Sequence, residues 1–422
     1  MEGIDTSESP AATVSVPGSK SYTQRALTIA ALAEGKSCLH NVLMSEDTEH
    51  LTNALRCLGA DIVTADHYMI VEGTGGSIKN PHRRITVGNN GTALRFLTAL
   101  AALGEDRYII DGNPRLRERP IRPLLDALQI LGVGGRSLYN QGYPPVTIEG
   151  GGIGGGAITF AHAESSQYIS SILISAPYAR DTVTINLQGT TVSLPYINMT
   201  TDVMEHFGVK VTKTGEERYI VHAPQRYTGT RYMIEGDVSS ASYFFLAAAL
   251  CKRRIRVLNI NPNTIQGDIA FLDIMELLGC HIERGNDWIE VAAGKGLNQG
   301  EYVFTMRDMP DMVPTLAVLS AFRPGRTVIT DVAHLRLKES NRIEALVKGL
   351  NRINIDAKEL TDGLAIDGGI PCGAEIETYN DHRIAMSFAI AGLATKGITI
   401  KDKTCVDKSF PGFWDELDKL DS

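Results

Sequence analysis

The chain has 422 residues, 43% of them hydrophobic and 21% charged, with a net charge of −8. That length exceeds what one ordinary core supports and points to two domains of a soluble globular protein. The acidic balance argues against general nucleic-acid binding, and no apolar run approaches the roughly 18 residues of a membrane span. The acidic, polar N-terminus (Glu2, Asp5, Glu8) is unlike a signal or transit peptide. Six cysteines without a C-x-x-C pair suggest neither a zinc site nor a disulfide framework. A reducing, cytoplasmic setting is expected, with no metal and no cofactor.

The first ordered stretch is Pro17-Gly18-Ser19-Lys20-Ser21-Tyr22-Thr23-Gln24-Arg25, followed by an apolar run from Ala26 to Ala33. It reads as a loop feeding a helix N-terminus, where free N–H groups and the positive dipole end favour an anion. It is not a Walker A loop, because Ser19 separates Gly18 from Lys20. An ordinary capped core helix explains this stretch alone equally well.

The pattern recurs. Apolar, small-residue helices with polar mouths begin near Ser21, Gly91, Ser165, Ser239, Met312 and His382, at intervals of 70 to 74 residues. They are apolar around most of their circumference, as buried helices are. Between them lie amphipathic helices such as LTNALRCLGADIV, LLDALQILGVGG, TTDVMEHFGVKV, FLDIMELLGCHI and IEALVKGLNRINIDA. These close on Gly59, Gly132, Gly208, Gly279 and Asn354, residues that accept the left-handed conformation. The C-terminal FWDELDKL reads as a sixth copy cut off after its helix. Short alternating segments read as strands: Ile62–Ala65, Tyr68–Glu72, Tyr108–Asp111, Val146–Glu149, Thr182–Asn186, Tyr219–Ala223, Ile289–Val291 and Thr327–Thr330. Six units of about 70 residues exceed the usual solenoid period, so two closed domains of three units each fit better. A boundary is expected near Gly236-Asp237; the Gly-rich stretch Gly150–Gly156 falls inside a repeat and reads as a loop.

The six mouths are rich in polar groups. They hold Lys20, Ser21 and Arg25; Asn89-Asn90-Gly91-Thr92 with Arg95; Ser165-Ser166-Gln167; Asp237-Val238-Ser239-Ser240; Asp308-Met309-Pro310-Asp311; and Asn380-Asp381-His382-Arg383. Each alone can be an N-cap. Parallel helices sharing such mouths would concentrate positive potential despite the acidic total. Three further stretches add reactive side chains: Arg115–Arg122 with four arginines, Arg336–Arg342, and Thr404–Pro411 with Lys408 before a Phe-Pro turn. Solvated loops and ion-paired helix caps are the plainer readings of the first two.

Taken together, PGSKSYTQRAL at 17–27, GNNGTALR at 88–95, RLRERPI at 115–121, ESSQY at 164–168, VSLPYI at 192–197, MPDMVPT at 309–315, LRLKESNRIEAL at 335–346, YNDHRIAM at 379–386 and KSFPGFW at 408–414 resemble the 5-enolpyruvylshikimate-3-phosphate (EPSP) synthase family, in family order over nearly the whole length. The resemblance implies an α/β, two-domain enolpyruvyl transferase fold, an inside-out α/β barrel. Each domain would have three βαββαβ units with buried parallel helices. The N-terminal lobe would span 20–236 and the C-terminal lobe 1–19 with 237–422, the active site lying in the cleft between them. It implies transfer of the enolpyruvyl group of phosphoenolpyruvate to the 5-hydroxyl of shikimate 3-phosphate, with release of phosphate, by a protein expected to be monomeric. Motif by motif, Lys20, Ser21, Arg25, Ser165, Ser166, Gln167, Ser193, Tyr196, Asp311 and Lys338 match positions at shikimate 3-phosphate. Lys20, Gly91, Arg95, Arg119, Gln167, Arg342, His382, Arg383 and Lys408 match positions at or beside phosphoenolpyruvate. Asp311 is the candidate base for the hydroxyl, and Glu339 or Lys20 the candidate proton donor to the methylene.

Asn90 and Phe96 depart from the common pattern, a small Ala and a Pro, and are expected to flank the phosphoenolpyruvate pocket. Gly91 leaves the room expected of an enzyme moderately sensitive to glyphosate, the family's phosphoenolpyruvate-competing inhibitor. UDP-N-acetylglucosamine enolpyruvyl transferase shares the architecture, but its members carry Lys-Asn where this chain has Lys20-Ser21, and usually a loop cysteine absent here. A non-catalytic relative is the other alternative; the joint presence of Lys20, Asp311, Glu339, Arg383 and Lys408 argues against it.

Overall fold

The computed structural model describes residues 12–420; Glu2, Asp5 and Glu8 lie outside them. Twelve α-helices run through the described residues: α1 (Lys20–Leu32), α2 (Glu46–Cys57), α3 (Gly91–Ala101), α4 (Arg122–Ile130), α5 (Ser166–Ser175), α6 (Pro195–His206), α7 (Val238–Cys251), α8 (Phe271–Leu277), α9 (Val313–Ala321), α10 (Arg342–Arg352), α11 (His382–Ala394) and α12 (Phe413–Asp418). The odd-numbered helices are the buried kind. Eleven of the 13 residues of α1 are buried and 12 of the 14 of α7, so their small side chains admit close neighbours on all sides. The even-numbered helices bury one face; α10 hides Ile343, Leu346, Val347 and Leu350 and turns Lys348 outward. Gly59, Gly132, Gly208, Gly279 and Asn354 all take positive φ just past α2, α4, α6, α8 and α10, the conformation that ends those helices.

Five four-stranded sheets share one pattern and a sixth is its two-stranded remnant. In the sheet around Arg107–Asp111, the edge strand Ile85–Thr86 is parallel, while Val146–Glu149 and Gly135–Ser137 follow antiparallel. The sheet of Gly156–Ala161, Val183–Gln188, Arg218–Val221 and Thr212–Thr214 repeats it, as does that of Tyr302–Thr305, Gly325–Thr330, Leu364–Gly368 and Asp356–Glu359. The order along each unit is therefore βαβαββ rather than the expected βαββαβ. Parallel strands need a crossover, which the buried helix supplies; the last two strands follow one another with no helix between them.

Two edge strands have exchanged places. Ala12–Ser15 precedes α1 but pairs with Arg254–Leu258, the strand after α7; Arg231–Met233 precedes α7 but pairs with Lys36–His40, the strand after α1. Accordingly the chain divides into two compact units, one reaching Gly18 and resuming at Glu235, the other Ser19–Ile234. Each has its own apolar core. In the first, Pro17 O accepts from Asp237 N at 2.9 Å and Val16 O from Asn259 Nδ2 at 2.8 Å. A Cβ on Gly236 would lie 1.5 Å from Asn259 O, so only glycine fits there.

Candidate active site

In the unit Ser19–Ile234, Ser19 makes no side-chain cap to α1, and Lys20 heads the helix. Its Nζ lies 3.4 Å from Oδ2 of buried Asp47, in the first turn of α2. Asn90 fixes that turn: Oδ1 caps α3 by accepting from Ala93 N at 2.9 Å, while Nδ2 donates to Asp47 O at 2.8 Å. Its departure from a small residue is thus explained by a cap and a tie between α3 and the Lys20 partner.

Arg25 is fully buried. It donates to Thr200 Oγ1 at 2.8 Å, to Ser21 O at 3.0 Å and to Ser170 Oγ at 3.4 Å, joining α1, α5 and α6. Its guanidinium lies 5.6 Å from the Phe96 ring and 5.7 Å from that of Tyr196. Burial lowers its pKa to about 10, which leaves it charged at neutral pH. Phe96 thus lies beside Arg25, a residue matched to shikimate 3-phosphate.

Of the four arginines of Arg115–Arg122, three are held outward by carboxylates: Arg115 by Glu118 at 2.7 Å, Arg117 by Asp111 at 2.8 Å and Arg122 by Asp126 at 2.7 Å. Arg119 turns inward, 4% exposed, and donates to Asn89 O at 3.4 Å. Arg95 donates to Gly91 O at 2.9 Å and Pro120 O at 2.8 Å, stacking beside Tyr168, whose hydroxyl donates to the same Pro120 carbonyl at 2.9 Å. Gly91 sits between these two guanidiniums. A Cβ there would stand 2.5 Å from Arg119 Cζ and 2.6 Å from Arg95 Nη1. Ser165 caps α5 through Gln167 N at 3.3 Å, Ser166 is buried, and Gln167 Nε2 reaches Thr92 Oγ1 at 3.0 Å, joining the second and third mouths. Ser193, at φ +59°, precedes α6 and accepts from the Tyr196 amide at 3.1 Å.

In the other unit, Asp311 lies on the 3-10 turn Pro310–Met312. Arg342 Nη1 donates to its Oδ1 at 2.9 Å and Arg383 Nη2 to its Oδ2 at 2.7 Å. Arg342, only 1% exposed, also donates to Glu339 Oε2 at 2.8 Å and to Asp381 at 2.9 and 3.3 Å. Burial works against its charge, but Asp381, Glu339 and Asp311 outweigh it and raise its pKa further. Asp381 is fully buried, caps α11 through Arg383 N at 3.0 Å, and accepts from Ser340 Oγ at 2.9 Å. Tyr243 OH accepts from Arg383 Nη1 at 3.4 Å. His382, the first residue of α11, has no exposed side-chain surface and its Nδ1 is 3.9 Å from Asp381 Oδ1. Buried Lys408 ends the 3-10 turn Thr404–Lys408, and half-buried Lys338 follows the 3-10 turn Ala333–Leu337. The sequence motifs thus fall into two clusters, one per unit. Asp47, Asp268 and Tyr243 escaped notice in the sequence, and Asp381 was read only as a helix cap. A carboxylate two residues from a conspicuous Arg was the available signal for Asp381.

A repeat of this topology, exchanged at two strands and carrying fixed cations and carboxylates at its helix mouths, defines an enzyme of the enolpyruvyl transferase class. The family model for EPSP synthase (3-phosphoshikimate 1-carboxyvinyltransferase) matches residues 4–417. The 3-phosphoshikimate 1-carboxyvinyltransferase of Nostoc punctiforme is 42% identical over 97% of this chain and 98% of its own length, and that of Syntrophobacter fumaroxidans 40% over 97% of each. A solved EPSP synthase from Acinetobacter baumannii superposes with a TM-score of 0.78 at 28% identity, over 96% of this chain and 95% of that one. The chain belongs to the EPSP synthase family; the UDP-N-acetylglucosamine alternative is not favoured. Among the described residues, no helix is long and apolar enough to cross a membrane.

Proposed function

We propose that Lys20, Arg95, Arg119 and Gln167 from one unit, and Asp311, Glu339, Arg342, Arg383 and Lys408 from the other, serve one reaction. In it the enolpyruvyl group of phosphoenolpyruvate passes to the 5-hydroxyl of shikimate 3-phosphate. Both substrates are anionic; phosphoenolpyruvate brings a phosphate and a carboxylate that several fixed cations, above all bidentate arginines, can hold. Ser21, Arg25, Ser165, Ser166, Ser193, Tyr196 and Lys338 suit the hydroxyls and phosphate of shikimate 3-phosphate. The hydroxyl oxygen attacks the enol carbon as Asp311 takes its proton and the methylene gains one. The tetrahedral intermediate then loses phosphate and a methyl proton to restore the double bond.

Lys20 is the better proton donor of the two candidates. Glu339 is held by Arg342 at 2.8 Å, a pairing that favours the bare carboxylate over a donor. The reading rests most heavily on Asp311, whose carboxylate stands between two guanidinium groups on a side chain 19% exposed. Asp311→Ala should lower kcat by about 10²-fold or more while shikimate 3-phosphate affinity changes by only a few fold. A loss confined to binding would make Asp311 a substrate anchor and remove it as the base.

A further inference from the structure

One of the buried carboxylates of the Asp311 unit has no role in the reaction as described. Asp268 sits on the 3-10 turn Gly267–Ala270, 4% exposed, and accepts a hydrogen bond from Ser239 Oγ in the first turn of α7. Its turn is rigid. Gln266 donates to Gly236 O at 2.8 Å and accepts from Val238 N at 3.4 Å. The turn Pro310–Met312 that carries Asp311 packs against the same helix. One turn along α7 from Ser239, Tyr243 binds one arm of the Arg383 guanidinium, whose other arm donates to Asp311. Among the charged groups facing Asp268 are Asp311, Arg383 and Asp237. Burial first, then the Asp311 charge, push its carboxyl up to about 7, against the opposing pull of Ser239 and Arg383.

Two guanidinium partners favour the ionised form of a carboxylate, which works against a base. Resting on the reaction given above, we propose that Asp268 is a positioning residue whose negative charge offsets Arg383 and lets Asp311 accept the hydroxyl proton. The proton passes from the substrate oxygen to Asp311 while that oxygen bonds to the enol carbon; Asp268 exchanges no atom with either substrate. When Asp268 is ionised, the second negative charge strengthens Asp311 as an acceptor. As pH falls through about 7, Asp268 takes up a proton, the offset disappears and turnover falls, with shikimate 3-phosphate binding unchanged.

The test follows phosphate release against pH for the full chain and for Asp268→Asn and Asp268→Glu. Asp268→Asn should lose about tenfold in kcat at pH 8.5 and lose the acid limb near pH 7, with shikimate 3-phosphate affinity within about twofold and Asp268→Glu restoring part of both. A wild-type kcat and limb in Asp268→Asn, or equal losses in kcat and binding, overturns the proposal. An infrared carboxyl titration needs no turnover and separates this proposal from the reaction itself. Removing the neighbouring charge in Asp311→Asn should lower the Asp268 midpoint. An unmoved midpoint overturns the coupling even if the enzyme turns over, and a lowered one upholds it even if no phosphate is released.

Discussion

Replacing Arg342 by Leu removes one guanidinium from three carboxylates at once. Asp381 is fully buried and loses donors at 2.9 and 3.3 Å; Asp311 and Glu339, 19% and 10% exposed, each lose a donor at 2.9 and 2.8 Å. Asp381 keeps Ser340 and the Arg383 amide, and Asp311 keeps Arg383, so the damage is partly absorbed. Breaking a buried ion pair costs about 3–5 kcal/mol because a charge stays behind uncompensated. In a unit of this size that corresponds to a Tm lower by roughly 6–20 °C, measured by calorimetry or circular dichroism at pH 7. Arg342→Lys keeps the charge but not the fork, and should fall between wild type and Leu. The carboxylates would also drift from their fixed places, so kcat should fall by about 10²-fold or more in the folded Arg342→Lys protein. A melting point of Arg342→Leu within 2 °C of wild type, or a fully active Arg342→Lys, would refute the view that this guanidinium organises the acid cluster.

Further outcomes follow from both units. Lys20→Ala should lower kcat by about 10²–10⁴-fold in steady-state assays; near-normal kinetics would contradict its role as donor. Gly91→Ala places a Cβ against Arg119 and Arg95 and should raise the phosphoenolpyruvate KM several-fold with little change for shikimate 3-phosphate. It should weaken inhibition by a competitor of phosphoenolpyruvate in parallel, and equal KM values for both substrates before and after would dismiss that placement. Asn90→Ala loses a cap, worth about 1 kcal/mol by thermal melt, and frees the Asp47 turn. Asp268→Asn should melt higher than wild type at pH 8 and equally at pH 4, because a carboxyl whose folded pKa is raised to about 7 costs stability as pH rises toward that value.

The repeat was legible because its two helix types differ in kind. Ala- and Leu-rich segments such as Ala26–Ala33 announce burial on every side, and Gly or Asn at 59, 132, 208, 279 and 354 mark where amphipathic helices must stop. Strand exchange left no local mark. Ala12–Ser15 is four residues long and its partner, Ile255 opposite Ala12, lies more than two hundred residues away. The order βαβαββ is not visible in the sequence, where strands such as Ile85–Thr86 and Gly135–Ser137 are too short to alternate. At the site, the cations stood out as clusters, but their division did not. Arg115, Arg117 and Arg122 resemble Arg119 in sequence, and only burial separates the one that turns inward. Asp268, a lone acid after glycine, looks like any turn residue until α7 brings it into the Asp311 unit's polar cluster.

The most direct measurement is phosphate release by the purified chain given phosphoenolpyruvate with shikimate 3-phosphate, and separately with UDP-N-acetylglucosamine, with the product examined by NMR. Phosphate should appear only with shikimate 3-phosphate, one per vinyl ether formed at its 5-oxygen. No phosphate from well-folded protein, or release with the nucleotide sugar instead, would contradict the account.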